Sequence, residues 1–125
     1  MTDRVIRGSC LCGAVRFEVA LPFQRFGYCY CSRCRKATGA GRAANAYVRP
    51  AQIAWLSGEE LVSRWDLPSA RSFATAVCAR CGSPLPHATR SGREVVVPAG
   101  SFDDPLPVAP SERFEWESRA PWEHE

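Results

Sequence analysis

Apolar and polar residues alternate in short runs along this chain, and glycine and proline separate the runs at close intervals. The clearest run is 13–21 (GAVRFEVAL). There Val15, Phe17, Val19 and Leu21 fall on one face, and Ala14, Arg16, Glu18 and Ala20 on the other. A repeat of two is that of a strand with one buried face. Segments 26–31, 44–48, 53–56, 61–65, 72–77 and 94–97 are rich in β-branched and aromatic residues and read as further short strands. Helical periodicity is scarce. Residues 32–37 predict a single turn, with Ser32 as its N-cap and Gly39 beyond its end. From Asp103 onward, Pro105, Pro107, Pro110 and Pro121 predict a tail wrapped over the surface in extended form. With no repeat or linker in the pattern, the expected architecture is one mainly antiparallel β domain over residues 1–125, with very little helix.

Composition changes this picture little. A chain of 125 residues buries a modest core. Basic residues exceed acidic ones by only three and the arginines are scattered, which argues against a nucleic-acid partner. No apolar run approaches the ~20 residues that cross a bilayer. The segment Met1 to Arg7 lacks the apolar stretch of a signal peptide, so a cytoplasmic location is the expected default. In a reducing compartment, clustered cysteines are metal ligands or catalytic groups more often than disulfides. Seven cysteines also cannot all pair.

Two cysteine pairs frame the chain, Cys10-Leu11-Cys12 and Cys78-Ala79-Arg80-Cys81, each followed by a glycine (Gly13, Gly82). Each pair adjoins a predicted strand, where a tight turn aims two sulfurs at one point. Four thiolates satisfy zinc completely and leave no place for substrate, so such a group is structural and supplies folding free energy. Between the pairs lies Cys29-Tyr30-Cys31-Ser32-Arg33-Cys34. Three sulfurs in six residues grip one face of a zinc ion, and no eighth cysteine closes the site. A three-ligand zinc keeps an open position, which is the arrangement of catalytic centres. An external thiol suits that position, because zinc deprotonates it.

Arg25, Arg33, Arg35 and Lys36 lie close by in sequence and either offset the thiolate charge, hold an acidic thiol's carboxylates, or simply face solvent. Spacing alone leaves other arrangements open. The triple is a second structural site if His87 or an acidic residue completes it, and local spacing does not exclude ligands exchanged between clusters. His87 reads as a loop histidine and His124 as part of an unordered end. The four tryptophans read as packing groups, with Trp122 expected to pin the C-terminus to a sheet.

These stretches resemble the glutathione-dependent formaldehyde-activating family, whose domain also occurs in centromere protein V. The matching segments are 8–17 (GSCLCGAVRF), 29–36 (CYCSRCRK) with 38–40 (TGA), 78–85 (CARCGSPL), 100–105 (GSFDDP) and 118–122 (SRAPW), in the family's order and over nearly the whole chain. The resemblance implies a β-tent fold of small antiparallel sheets and two zinc ions per chain. Cys10, Cys12, Cys78 and Cys81 would hold the structural ion, and Cys29, Cys31 and Cys34 the catalytic one. The activity implied is of carbon–sulfur lyase type, in which glutathione adds to formaldehyde to give S-hydroxymethylglutathione. Arg35 and Lys36 are the expected contacts to the thiol substrate. Water at the metal, Tyr30 and Lys36 are the candidate proton donors. The chain departs from the pattern at Tyr30, where the family usually has histidine. It departs again at Arg113, Glu115 and Trp116, where a histidine and apolar residues are common. A non-enzymatic binding or chaperone module on the same scaffold is the main competing function, and thiol redox chemistry ranks third.

Overall fold

The computed structural model describes residues 4–124, so the first three residues of the N-terminal segment and residue 125 lie outside it. The chain is mainly β, as its alternation predicts, and its described residues build three small sheets. Strands β1 (Val5–Ser9), β2 (Arg16–Ala20) and β5 (Ile53–Ser57) form an antiparallel sheet in the order β1-β2-β5. A larger sheet joins β3 (Arg25–Cys29), β4 (Ala43–Val48), β8 (His87–Ala88), β9 (Val95–Pro98) and β10 (Glu112–Phe114) in the order β10-β3-β4-β9-β8. Strands β6 (Val62–Asp66) and β7 (Ala74–Cys78) make a two-stranded ribbon. No helix among the described residues is long and apolar enough to cross a membrane.

The period-two pattern of β2 is realised in the core. Val15, Phe17 and Val19 are fully buried, and they pack with Phe26, Ala46, Val48, Val95 and Val97 from the larger sheet and with Ala76 and Leu85. Phe17 meets Trp55 and Phe102 edge-on, with ring centroids 5.9 and 6.1 Å away. Burial of each such side chain stabilises the fold by roughly 1.5–3 kcal/mol.

Several boundaries differ from expectation. The strand predicted from residue 13 begins at Arg16, because the Cys10 turn occupies the residues before it: the Cys10 N–H donates to the Val15 carbonyl at 3.0 Å. Strand β1 is an addition to the expected set. Only Ile6 and Gly8 point inward from it, too few apolar side chains to read as alternation. The predicted helical turn is present as α1 (Ser32–Thr38), with Gly39 in the left-handed conformation at its end (φ 72°). Its N-cap, however, is Cys31 and not Ser32: the Cys31 sulfur accepts from the Cys34 N–H at 3.4 Å.

The tail is extended only in part. Residues 112–114 form β10, which runs parallel to β3, and Ala120 is buried. Trp122 does not pin the chain by burial. It leans over Gly41 but remains 65% exposed, and Trp65 is also exposed. Gly27 on β3 lets β10 approach: a Cβ there would stand 2.6 Å from the Glu112 carbonyl and 2.8 Å from the Phe114 ring. Alanine is no worse than glycine in an ordinary strand. Here Gly27→Ala is expected to destabilise the protein by about 1–3 kcal/mol through overpacking, measured by urea unfolding. Unchanged stability would show that β10 is not held this tightly.

Candidate metal centres and cleft

The two framing cysteine pairs meet. Cys10 follows β1 directly and Cys78 ends β7, and the turn after each is closed by a left-handed glycine. Gly13 (φ 79°) donates its N–H to the Cys10 carbonyl at 3.0 Å, and Gly82 (φ 78°) donates to the Cys78 carbonyl at 2.7 Å. The sulfurs of Cys10, Cys12, Cys78 and Cys81 all lie within 4.8 Å of one another. Cys10 and Cys12 sulfurs are 3.6 Å apart, and Cys12 and Cys78 sulfurs 4.0 Å. Thiolates at ~2.3 Å around one zinc stand about 3.8 Å apart, whereas bonded sulfurs stand at ~2.0 Å. The spacing therefore fits a metal tetrahedron and not a disulfide.

Backbone N–H groups aim at these sulfurs, as ionised ligands require: Val15 donates to Cys10 at 3.3 Å and Arg80 to Cys78 at 3.4 Å. The Ser83 hydroxyl, 3.1 Å from the Cys81 sulfur, and the Ser83 N–H hold that thiol well below its usual range, at about 5. Ser83 also accepts from the Leu11 N–H at 3.0 Å, tying the two turns together.

The sulfurs of Cys29, Cys31 and Cys34 form the second group, again within 4.8 Å of one another, with 3.6 Å between Cys29 and Cys31. Cys29 ends β3, Cys31 caps α1, and Cys34 lies in its first turn, so one strand-to-helix corner delivers all three. The Cys34 thiol hydrogen-bonds Cys29 and holds it down at about 6. That same hydrogen bond, with burial, pushes Cys34 up. Phe73 and Phe114 pack against the group. Among the described residues, the two sulfur groups share no member.

The triple opens onto a cleft of about 1110 Å³ between the larger sheet, α1 and β7. Strand alternation decides what faces it. The register pairs Arg25 with Tyr47, Gly27 with Asn45 and Cys29 with Ala43, and then Tyr47 with Val96 and Val96 with His87. These positions share one face and, Gly27 apart, all line the cleft. Tyr28 and Tyr30 point to the other face. Tyr30 is 2% exposed, meets the Trp116 ring edge-on at 4.7 Å, and its hydroxyl accepts from Arg42 at 3.2 Å. It does not reach the cleft as a proton donor.

The basic residues divide in the same way. Arg25, Arg33 and Arg93 line the cleft. Arg25 is held over the Tyr47 ring at 4.1 Å and bridges to Glu94 at 2.7 Å. Arg35 and Lys36, the contacts expected from sequence, are not among the lining residues; Arg35 instead turns to the Ser118 carbonyl at 3.4 Å. His87 lies on β8 and not in a loop. Burial, then the charge of Arg64, lowers it to about 4, so it is neutral at neutral pH. Arg113 lies on β10 with its guanidinium over the Trp116 ring at 4.7 Å, outside the cleft lining. Glu115 and Ser118, from the tail, complete the lining. In the sequence Glu115 stands out only as a departure from an apolar position, because nothing local shows that β10 docks beside Cys29.

The chain is similar to known proteins. A Halomonas elongata protein, provisionally named a glutathione-dependent formaldehyde-activating enzyme, is 36% identical over 115 aligned positions, which cover 85% of this chain and 71% of that protein. A crystal structure of a Rhodobacter sphaeroides protein superposes with a TM-score of 0.66 at 28% identity, covering 82% of this chain and 92% of that one. The family profile described as glutathione-dependent formaldehyde-activating enzyme matches residues 5–118. By this match over most of its length, the chain belongs to the glutathione-dependent formaldehyde-activating enzyme family.

Proposed function

We propose that this chain is a zinc-dependent enzyme of carbon–sulfur lyase type that joins glutathione, or a related acidic thiol, to formaldehyde or another small carbonyl in the cytoplasm. The observation that carries the reading is an incomplete set of three sulfurs, Cys29, Cys31 and Cys34, opening onto a cleft lined by three arginines. A scaffold has no need of an unfinished ligand set, so the same observation ranks the binding-module reading second.

In this reading Cys10, Cys12, Cys78 and Cys81 hold a structural zinc and the triple holds a second one. Zinc bound by the triple would supply an electrophilic site that favours the ionised form of an added thiol. The protein's own groups do the rest. Arg33, at the start of α1, Arg25, on β3, and Arg93, in the turn before β9, offset the negative charge and bind the thiol's carboxylates. Phe73 and Phe114 cover the apolar side of the triple and limit water there. The carbon–sulfur bond forms as the carbonyl π bond breaks, and the thiol's proton ends on the new hydroxyl oxygen. Because this addition also proceeds without a catalyst, holding the two reactants together accounts for much of the rate gain.

The test is the rate of glutathione-dependent formaldehyde consumption above the uncatalysed rate, with zinc per chain measured on the same sample. Two zinc ions and a clear excess rate are expected; a metal-loaded protein without excess rate would favour the binding module. Cys34→Ser is expected to lose one zinc and the activity with little change in melting temperature, whereas Cys81→Ser should destabilise the whole protein. Equal melting temperatures would remove the division between structural and catalytic ions. Arg33→Gln should raise KM for glutathione by about tenfold, the worth of one charge-assisted contact of ~1.5 kcal/mol, with kcat nearly unchanged. An unaltered KM would take Arg33 out of substrate binding.

A further inference from the structure

Three sulfurs leave one corner of a metal tetrahedron open, and the cleft holds three other groups able to fill it: Glu94, His87 and Glu115. Glu94 is engaged with Arg25 at 2.7 Å. His87 lies on β8, and the sheet order places β4 and β9 between it and the Cys29 strand. Three inter-strand spacings amount to about 14 Å, too far for a shared ion. Glu115 is in a different position. It follows β10, the neighbour of β3, and the register sets Phe114 beside Cys29, with the Tyr30 N–H donating to the Phe114 carbonyl at 2.9 Å.

The backbone at Glu115 decides where its carboxylate goes. Phe114 shares the cleft face with Cys29, so in a continued strand residue 115 would project to the opposite face. Glu115 instead adopts φ 58° and ψ 40°, the left-handed region, and is the one non-glycine residue with positive φ among the described residues. That turn is fixed by the Ser118 N–H, which donates to the Glu115 carbonyl at 2.9 Å. Past that turn, Glu115 is among the residues that line the cleft. A conformation so unfavourable for a glutamate persists only where the surroundings impose it, and such positions cluster at functional sites.

We infer that Glu115 is a resident, displaceable oxygen ligand for the zinc of the Cys29–Cys31–Cys34 triple, occupying the position that an incoming thiol takes. The inference rests on the reading of the triple as a zinc site. The carboxylate stands outside the 4.8 Å set of the three sulfurs, so ligation requires it to move toward them. Three thiolates and a carboxylate on zinc carry two negative charges, and Arg33 lines the same cleft to offset them.

The test compares the full-length protein with Glu115→Gln and Glu115→Gly. Glycine removes the carboxylate while favouring the left-handed turn, so loss of the ligand is separated from loss of the fold. Zinc affinity of the triple is measured by chelator competition, and cobalt(II) substitution reports its ligands through the visible spectrum. In both variants the triple's zinc affinity should fall by about tenfold, and the cobalt bands should shift. Glutathione should bind the cobalt-loaded triple several-fold more tightly than in wild type, since its competitor is gone. A merely structural role for Glu115 would not weaken metal binding and tighten thiol binding together. Unchanged affinity and spectrum in either variant would overturn the inference, as would a wild-type triple that takes up no cobalt. If glutathione leaves the cobalt spectrum of every protein unaltered, the proposed thiol substrate fails, and metal affinity alone decides the role of Glu115.

Discussion

Two short turns, carrying Cys12 and Cys78 and separated by 66 residues, meet through four sulfurs, and the rest of the architecture is arranged around that meeting. One turn follows β1 and the other follows β7, so their junction ties the small first sheet to the two-stranded ribbon. Closing a loop of that length costs about 4 kcal/mol in chain entropy, a large share of the stability of a small protein. Ser83 shows how closely the junction is built: it accepts from the Leu11 N–H and stands beside the Cys81 sulfur. Both turns end in a left-handed glycine, so the same local solution is used twice.

With the ribbon fixed in this way, β7 becomes a wall and the larger sheet a floor, and the cleft is the space between them. What enters that space follows from alternation. Cys29, Asn45, Tyr47, Val96 and His87 are on the floor because they share one face, and Tyr28 and Tyr30 are excluded because they do not. The triple adds a second kind of geometry to this floor. A strand ends at Cys29 and a helix begins after Cys31, and the change of period brings Cys34 back beside both. Glu115 joins the lining of the same cleft at a left-handed turn, one residue past the Phe114 position paired with Cys29.

Much of this is legible in the amino-acid sequence. The run Val15, Phe17, Val19 announced a buried face, and the cysteine spacing separated a group of four from a group of three; both groupings match the geometry. The legible parts depend on neighbours in sequence. Features set by distant partners were hidden. β1 offers one inward apolar side chain, β8 is two residues long, and β10 carries Glu112 and Arg113, so none has a pattern of its own. The side-chain directions of Arg35 and Tyr30 were hidden for the same reason. Each is set by the tail, through Ser118 and Trp116, and the tail's course is fixed by a glycine on β3.

The parallel docking of β10 has a consequence for the order in which the protein is assembled on the ribosome. The triple lies early in the chain and is complete within six residues, so its sulfurs emerge together long before Cys78 and Cys81. The wall that carries Glu115 and Ser118 is supplied by the last part of the described chain. Between those two points in synthesis a nascent chain therefore displays the three sulfurs without that wall. The closed group becomes available later, and the cleft acquires its final wall last of all. The corner that stays open in the finished protein is thus the one exposed longest while it is being made.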